Sequence, residues 1–172
     1  MGHRQAGARV SDRVVVLVLA RIEAAHLSGL VGQFAELLDE SSPLDGDPAI
    51  ARLVPTPYPD DDDAAREFRS VTEADLLTRR RADAEVVLFS LADAAPVSDD
   101  PDDPTLLEEV EIRLEPGSVQ AWLRTLAAVR LVLALRLGVT DAEDHDAQNP
   151  RFGIYEWLGY RLDGLVAAVD RD

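Results

Sequence analysis

Two short apolar runs, each followed directly by a long helical pattern, place the strongest constraint on the fold of this chain. Residues 14–19 (VVVLVL) are all valine or leucine, whereas residues 110–114 (VEIRL) alternate apolar and polar side chains. The first run predicts a buried strand and the second a half-exposed strand. We expect the two strands to pair with one another, in a direction that the sequence leaves open.

Helical patterns account for most of the remaining chain. Apolar side chains recur at helical spacing after each strand, in RIEAAHLSGLVGQFAELLDE and in EPGSVQAWLRTLAAVRLVLALRLG. The predicted fold class is therefore mostly α (α+β), with about four long helices packed around a small two-stranded β-sheet. The predicted order is β-α-(short α)-α-β-α-α.

Local signals mark where individual helices begin and end. Proline fits the first helical position, so Pro48 predicts a short helix through Leu53, and Pro150 predicts the start of the last helix. Residues 72–94 are predicted as another helix that opens with a capping box and a hydrophobic staple. Gly138 is predicted to end the long apolar helix, as glycine does after a last turn.

The chain has 172 residues, the length of one domain. We expect residues 1–13 to be a flexible N-terminus and residues 14–172 to form a single domain, with acidic loops near residues 39–62, 95–109 and 139–149. No uninterrupted apolar run approaches the roughly 18 residues of a membrane span. No convincing signal peptide is present either, so we expect a cytoplasmic protein without a membrane contact.

The charge and cysteine content exclude several classes of function. The formal net charge is −16, all 17 basic residues are arginine, and there is no cysteine. The charge argues against direct nucleic-acid binding, which depends on neutralising phosphates. It leaves open a surface that is acidic for solubility, a surface for a basic partner, or mimicry of nucleic acid. Without cysteine there is no disulfide, thiolate nucleophile or zinc–thiolate site.

Two acidic clusters could hold a hard cation, because carboxylate oxygens are the ligands that Mg²⁺ and Ca²⁺ prefer. Asp60 to Asp63 are consecutive, and Asp141, Glu143, Asp144 and Asp146 surround His145. Neither cluster has the spacing of a calcium loop, and the first also suits a helix N-terminus or a partner contact. No G-x-S-x-G or phosphate-binding glycine loop is present. We therefore expect no catalytic residue, metal or cofactor.

Arginines within apolar helical stripes are the most unusual feature of the pattern. Arg80, Arg130 and Arg161 project toward predicted core faces, where a guanidinium must pair with a carboxylate or reach the surface. Candidate carboxylate partners are Glu23, Glu67 and Glu156. One interpretation is a set of buried structural ion pairs. The other is an internal anion pocket built by the three arginines together.

The aromatic residues divide between core and surface. Trp122 and Tyr155 lie on apolar stripes and are expected in the core. Trp157 and Tyr160 lie beside the stripe of the last helix, where an aromatic side chain with a polar group suits an interface. That interface would bind another protein or a second copy of the chain.

Four segments together resemble the actinobacterial domain of unknown function 2017 family. They are VLVLARIEAAHLSGLVGQFAELL, YPDDDDAAREFRSVTEADLLTRRRADAEVVL, VQAWLRTLAAVRLVLALRLGVT and IYEWLGYRLDGLV, which together extend over nearly the whole chain. The resemblance implies a small intracellular protein, often encoded beside a protease adaptor and a Mov34-type metalloprotease, with regulator labels on some relatives. It implies no catalytic residue.

The family pattern draws attention to a set of positions in this chain. They are Tyr58, Glu67, Phe68, Arg69, Thr72, Leu76, Trp122, Arg130, Leu131, Tyr155, Trp157 and Leu158. The chain departs from the pattern at Ala127-Ala128, where the family tends to show Asn-Asp, and near Arg80, where it tends to show lysine. The first departure removes polar groups from a central helix, which weakens the idea of an active site shared by the family.

Three functional hypotheses follow from the sequence and the resemblance. The first is a non-enzymatic intracellular regulatory or adaptor protein that binds another protein, either basic or linked to proteolysis or transcription. The second is a metal-assisted hydrolase that uses the carboxylates of the acidic loops. The third is an acidic transcription regulator or nucleic-acid mimic that binds a basic protein.

Overall fold

The computed structural model describes residues 13–40, 46–54, 60–139 and 150–170. Strand β1 (Val15–Ala20) leads directly into helix α1 (Arg21–Glu40). Helices α2 (Pro48–Leu53) and α3 (Asp62–Leu91) follow, and then a one-turn 3₁₀ helix at Pro104–Leu107. Strand β2 (Glu109–Leu114) precedes helix α4 (Pro116–Leu137), and α5 (Pro150–Asp170) is the last helix. The predicted fold class, with four long helices and a two-stranded sheet, is confirmed.

The two strands pair antiparallel, and their register separates a core face from an outer face. Leu17 lies opposite Ile112, and both project toward the helices. Val16 lies opposite Arg113, and Val18 opposite Glu111, on the other face. The expectation of a buried first strand is wrong for that face, where Val16 is 46% exposed, because helices cover only one side of the sheet in the described ranges.

Helix α4 is the centre of the fold. It contacts the other four α-helices and β2, and its Trp122 and Leu126 are almost completely buried. Burial of a side chain such as Leu126 contributes roughly 1.5–3 kcal/mol to folding. Gly138 ends the helix in the left-handed conformation with φ of 72°, as predicted.

By length and apolar composition, α4 is the one helix in the described ranges that could cross a membrane. This apolar character matches its position among the other helices, where seven of its residues are buried. Length and apolar composition alone are therefore weak evidence that α4 spans a membrane.

Helix α3 begins ten residues earlier than the sequence predicts. Asp61 is its N-cap, and the Asp61 side chain accepts hydrogen bonds from the Asp63 and Ala64 amides. The helix then continues without a break through Thr72, whose hydroxyl donates to the Phe68 carbonyl instead of capping a new helix. The predicted helix start at the Asp60 to Asp63 run is confirmed, and the predicted second start at Thr72 is wrong.

Candidate functional site

The Glu23 carboxylate joins the first strand–helix junction to the last helix. Glu23 is the third residue of α1, and its Oε2 accepts a 2.9 Å hydrogen bond from the Ala20 amide, as in the backbone half of a capping box. Its Oε1 accepts a 2.7 Å hydrogen bond from the Trp157 indole nitrogen. The same oxygen also accepts from Arg161, so one side chain fixes two residues of α5.

The Arg161 side chain lies between Glu23 and two aromatic rings. Its guanidinium carbon is 5.9 Å from the centre of the Trp157 ring and 5.6 Å from that of Tyr160. Its Nη1 donates to the Val18 carbonyl at 3.3 Å. These contacts hold the aromatic side of α5 against the β1–α1 junction, and the ion pair with Glu23 neutralises the arginine.

The environment of Glu23 favours its ionised form. Burial by itself raises the pKa of the carboxyl, but the hydrogen bonds from Arg161, the Ala20 amide and Trp157 outweigh this effect. The pKa of Glu23 therefore lies below the ordinary value of 4.5. At neutral pH the carboxylate is charged and serves as an acceptor rather than as a proton donor.

A groove of about 610 Å³ opens between α1 and α5 beside this network, and we call it the α1–α5 groove. Its walls include Glu23, Leu30, Ile154 and Trp157. Ile154 is 44% exposed, and Tyr160, farther along the same helix, is 71% exposed. A partly apolar depression with an aromatic side chain beside it is typical of a site that binds another molecule.

Two glycines in the walls of the α1–α5 groove have no packing role in the described fold. A Cβ atom added to Gly29 or Gly153 would meet nothing within 4 Å. Glycine inside a helix costs roughly 1 kcal/mol relative to alanine. From their helical patterns, Gly29, Gly32, Gly159 and Gly164 are expected to permit close helix packing, and this expectation is wrong for Gly29. The effect of Gly29 and Gly153 is to leave the groove wide.

The three stripe arginines lie on three different helix interfaces. Arg80 donates to the Leu53 carbonyl at 3.0 Å, between α3 and α2. Arg130 lies over the Tyr155 ring at 4.3 Å, between α4 and α5, whereas Arg161 pairs with Glu23. The structure therefore does not bring the three into one internal pocket, because their helices turn them toward separate neighbours.

Arg130 also explains one of the helical glycines. A Cβ at Gly159 would lie 3.0 Å from Nε and Nη2 of Arg130, so only glycine leaves full space for the guanidinium. The predicted packing role of glycine applies here. Tyr155 is half-buried and Trp122 is fully buried, on the sides of their helices that the apolar stripes indicate.

The remaining carboxylates singled out by the sequence lie elsewhere. Glu67 and Glu156 occupy exposed positions on α3 and α5, so neither is a buried charge, because each helix turns that position toward solvent. Asp61 caps α3, and Asp63 contacts Arg66. In the described ranges, no three acidic, histidine or cysteine side chains form a group that could hold a metal. The cluster from Asp141 to Asp146 lies outside those ranges.

Several ion pairs that join distant elements have no local sequence signal. Arg124 on α4 binds Asp83 on α3 through two hydrogen bonds of 2.7 and 2.8 Å. Arg136 at the end of α4 binds Asp47 at the start of α2 at 2.8 Å. The two residues of the first pair are 41 positions apart in the chain, and those of the second pair are 89 positions apart. Only the folded arrangement brings each pair together.

Comparison with known proteins places this fold in a family. The family model described as a domain of unknown function, DUF2017, matches residues 3–169. The chain belongs to the DUF2017 family. Searches of curated proteins and of solved structures gave no match. The family description assigns no activity to this DUF2017 protein.

Proposed function

We propose that this DUF2017 protein is a non-enzymatic regulatory or adaptor protein that binds a basic segment of another protein in the α1–α5 groove. The observation that carries the proposal is the aromatic side of α5. Trp157 is held by Glu23 in the wall of a groove of about 610 Å³, which Ile154 also lines, and the exposed ring of Tyr160 follows one helical turn farther along α5.

Fixed aromatic side chains are effective binding groups. Tryptophan and tyrosine provide much of the binding free energy at protein interfaces, and binding costs less when the side chain is already ordered. The hydrogen bond to Glu23 orders Trp157, and the Arg161 guanidinium lies against both rings. This part of α5 is therefore preorganised for binding in the free protein.

The charge of the chain favours a basic occupant. The formal net charge is −16, and the positive charge of Arg161 is neutralised by its pair with Glu23. Glu36 and Glu40 are exposed farther along α1, on the helix that forms one wall. A partner segment with lysine or arginine beside an apolar anchor would complement both the groove and its surroundings. Such electrostatic attraction weakens as salt increases.

The experiment compares two matched surface variants in a quantitative capture from native lysate. Tyr160→Ser removes an exposed ring on α5 one helical turn beyond the groove residue Trp157, whereas Phe89→Ser removes a ring that is 85% exposed on the different helix α3. A basic protein should be retained by the wild type and by Phe89→Ser, lost with Tyr160→Ser, and released by added salt. Equal retention by all three proteins would contradict the proposal.

Sedimentation of the purified protein examines a second copy of the chain as the occupant. The proposal predicts that any self-association of the wild type is unaffected by Tyr160→Ser. A dimer that dissociates in Tyr160→Ser and persists in Phe89→Ser would show that the groove binds another copy, and would contradict the proposed basic partner.

A further inference from the structure

A second groove, of about 730 Å³, lies between α3 and α4 beside the end of α2, and we call it the α3–α4 groove. It is separate from the α1–α5 groove and shares no lining residue with it. Leu53, Leu76 and Leu131 form apolar parts of its wall. Its volume is within the range of about 300–1,000 Å³ that is typical of small-molecule sites.

The charges along the α3–α4 groove do not balance. Arg124 and Asp83 neutralise each other through a bidentate pair. Arg79 pairs with Asp75 at 3.1 Å on the exposed side of α3. Arg80 has no carboxylate within ion-pair distance in the described part of the chain, where its hydrogen-bond acceptor is the neutral Leu53 carbonyl. The three arginines and two aspartates named here therefore carry a net charge of +1, which belongs to Arg80.

The surroundings of Arg80 make that charge costly. Arg80 is half-buried, and its buried Nε has no hydrogen-bond partner. Burial lowers the pKa of the guanidinium, and the negative charge of Asp83 only partly opposes this effect. Because arginine stays protonated in proteins, the cost cannot be relieved by loss of the proton. An anion from outside the chain would relieve it.

We propose that the α3–α4 groove binds a small organic carboxylate with an aliphatic chain. The carboxylate would meet Arg80, since a guanidinium donates two parallel hydrogen bonds to a carboxylate. The aliphatic chain would lie against Leu53, Leu76 and Leu131. One uncompensated charge beside apolar walls fits a monoanion with an apolar tail better than it fits inorganic phosphate, which carries more charge and no tail.

Calorimetric titration of the full chain with three probes tests this proposal. Octanoate carries both the charge and the tail, 1-octanol carries the tail alone, and acetate carries the charge alone. We expect octanoate to bind with at least about tenfold higher affinity than either of the other probes. Equal binding of octanoate and 1-octanol, or no binding of octanoate, would overturn the proposal.

Arg80→Met locates the site, and Arg113→Met is its control. Methionine keeps an apolar chain at position 80, and removal of an unpaired buried charge should leave the fold intact. Arg113 lies on the outer face of the sheet, where its side chain is 73% exposed. Octanoate affinity should fall about tenfold or more in Arg80→Met and stay unchanged in Arg113→Met. Unchanged affinity in Arg80→Met would overturn the assignment of Arg80.

Discussion

The Trp157 indole nitrogen donates a 2.7 Å hydrogen bond to the Glu23 carboxylate, which lies 134 positions earlier in the chain. This contact connects the third residue of α1 to the aromatic side of α5. The same carboxylate holds the Ala20 amide and Arg161. One glutamate thus caps a helix, fixes an aromatic side chain and neutralises an arginine, and both Glu23 and Trp157 line the proposed binding groove.

Glu23→Gln should destabilise the fold. The amide keeps the shape of the side chain but loses its charge, and hydrogen bonds to charged groups stabilise more than neutral ones do. We expect the free energy of unfolding to fall by about 1–2 kcal/mol. Glu36→Gln is the matched control, because Glu36 is exposed on the same helix. Urea denaturation checks both variants, and an equal effect of the two substitutions would contradict the role of Glu23.

The stabilisation by Glu23 should depend on pH. The pKa of Glu23 is depressed in the folded state, so the unfolded chain binds its proton first as pH falls. The contribution is therefore fully present well above the ordinary value of 4.5 and is lost as pH falls below it, through the folded pKa. The difference in stability between the wild type and Glu23→Gln should shrink over that range.

This pH dependence is best followed by urea denaturation at low protein concentration, because the isoelectric point of the chain is about 4.4. Near that pH the protein has little net charge to keep it soluble. A stability difference that stays constant down to the lowest accessible pH would contradict the depressed pKa of Glu23.

Arg130 and Gly159 should be energetically coupled. In the wild type, a Cβ at position 159 would press on the guanidinium that lies over Tyr155. In the Arg130→Met background that conflict is absent, and Gly159→Ala should stabilise α5 by about 0.5–1 kcal/mol through helix propensity. A double-mutant cycle measured by thermal unfolding gives the coupling. We expect Gly159→Ala to be more favourable in the Arg130→Met background than in the wild type.

Gly164→Ala is the control for this cycle. A Cβ at Gly164 would meet nothing within 4 Å, so the substitution should be equally favourable in both backgrounds. The same change in stability for Gly159→Ala with and without Arg130 would show that the glycine does not serve the arginine.

Local signals in the sequence predict the elements of the fold well. Pro48 and Pro150 mark the starts of α2 and α5, and Gly138 marks the end of α4, because each residue has a backbone preference that acts within one turn. The same kind of signal fails at Thr72. Its capping pattern competes with continuation of a helix that Asp61 has already started, and continuation keeps the backbone hydrogen bonds that a new start would lose.

The candidate site is less predictable because its contacts join distant parts of the chain. Helical periodicity indicates that Arg161 turns inward, and Glu23 is one of three carboxylates that could meet it. No local pattern indicates that Trp157 donates to the same carboxylate or that a groove opens beside it. The sequence also does not reveal the role of a helical glycine. Gly29 and Gly159 both lie inside helices, but an added Cβ would meet Arg130 at Gly159 and nothing at Gly29.

Substitution of a glycine in the wall tests the proposed function most directly. Gly29→Leu places a side chain in the α1–α5 groove, where a Cβ meets nothing, and Gly164→Leu places one at an open position outside it. Both should retain or raise the thermal stability of the fold, because leucine favours helix more than glycine does. The measurement is the amount of basic partner captured by each variant relative to the wild type. The proposal predicts that Gly29→Leu loses the partner while Gly164→Leu retains it, and equal capture by two folded variants would contradict it.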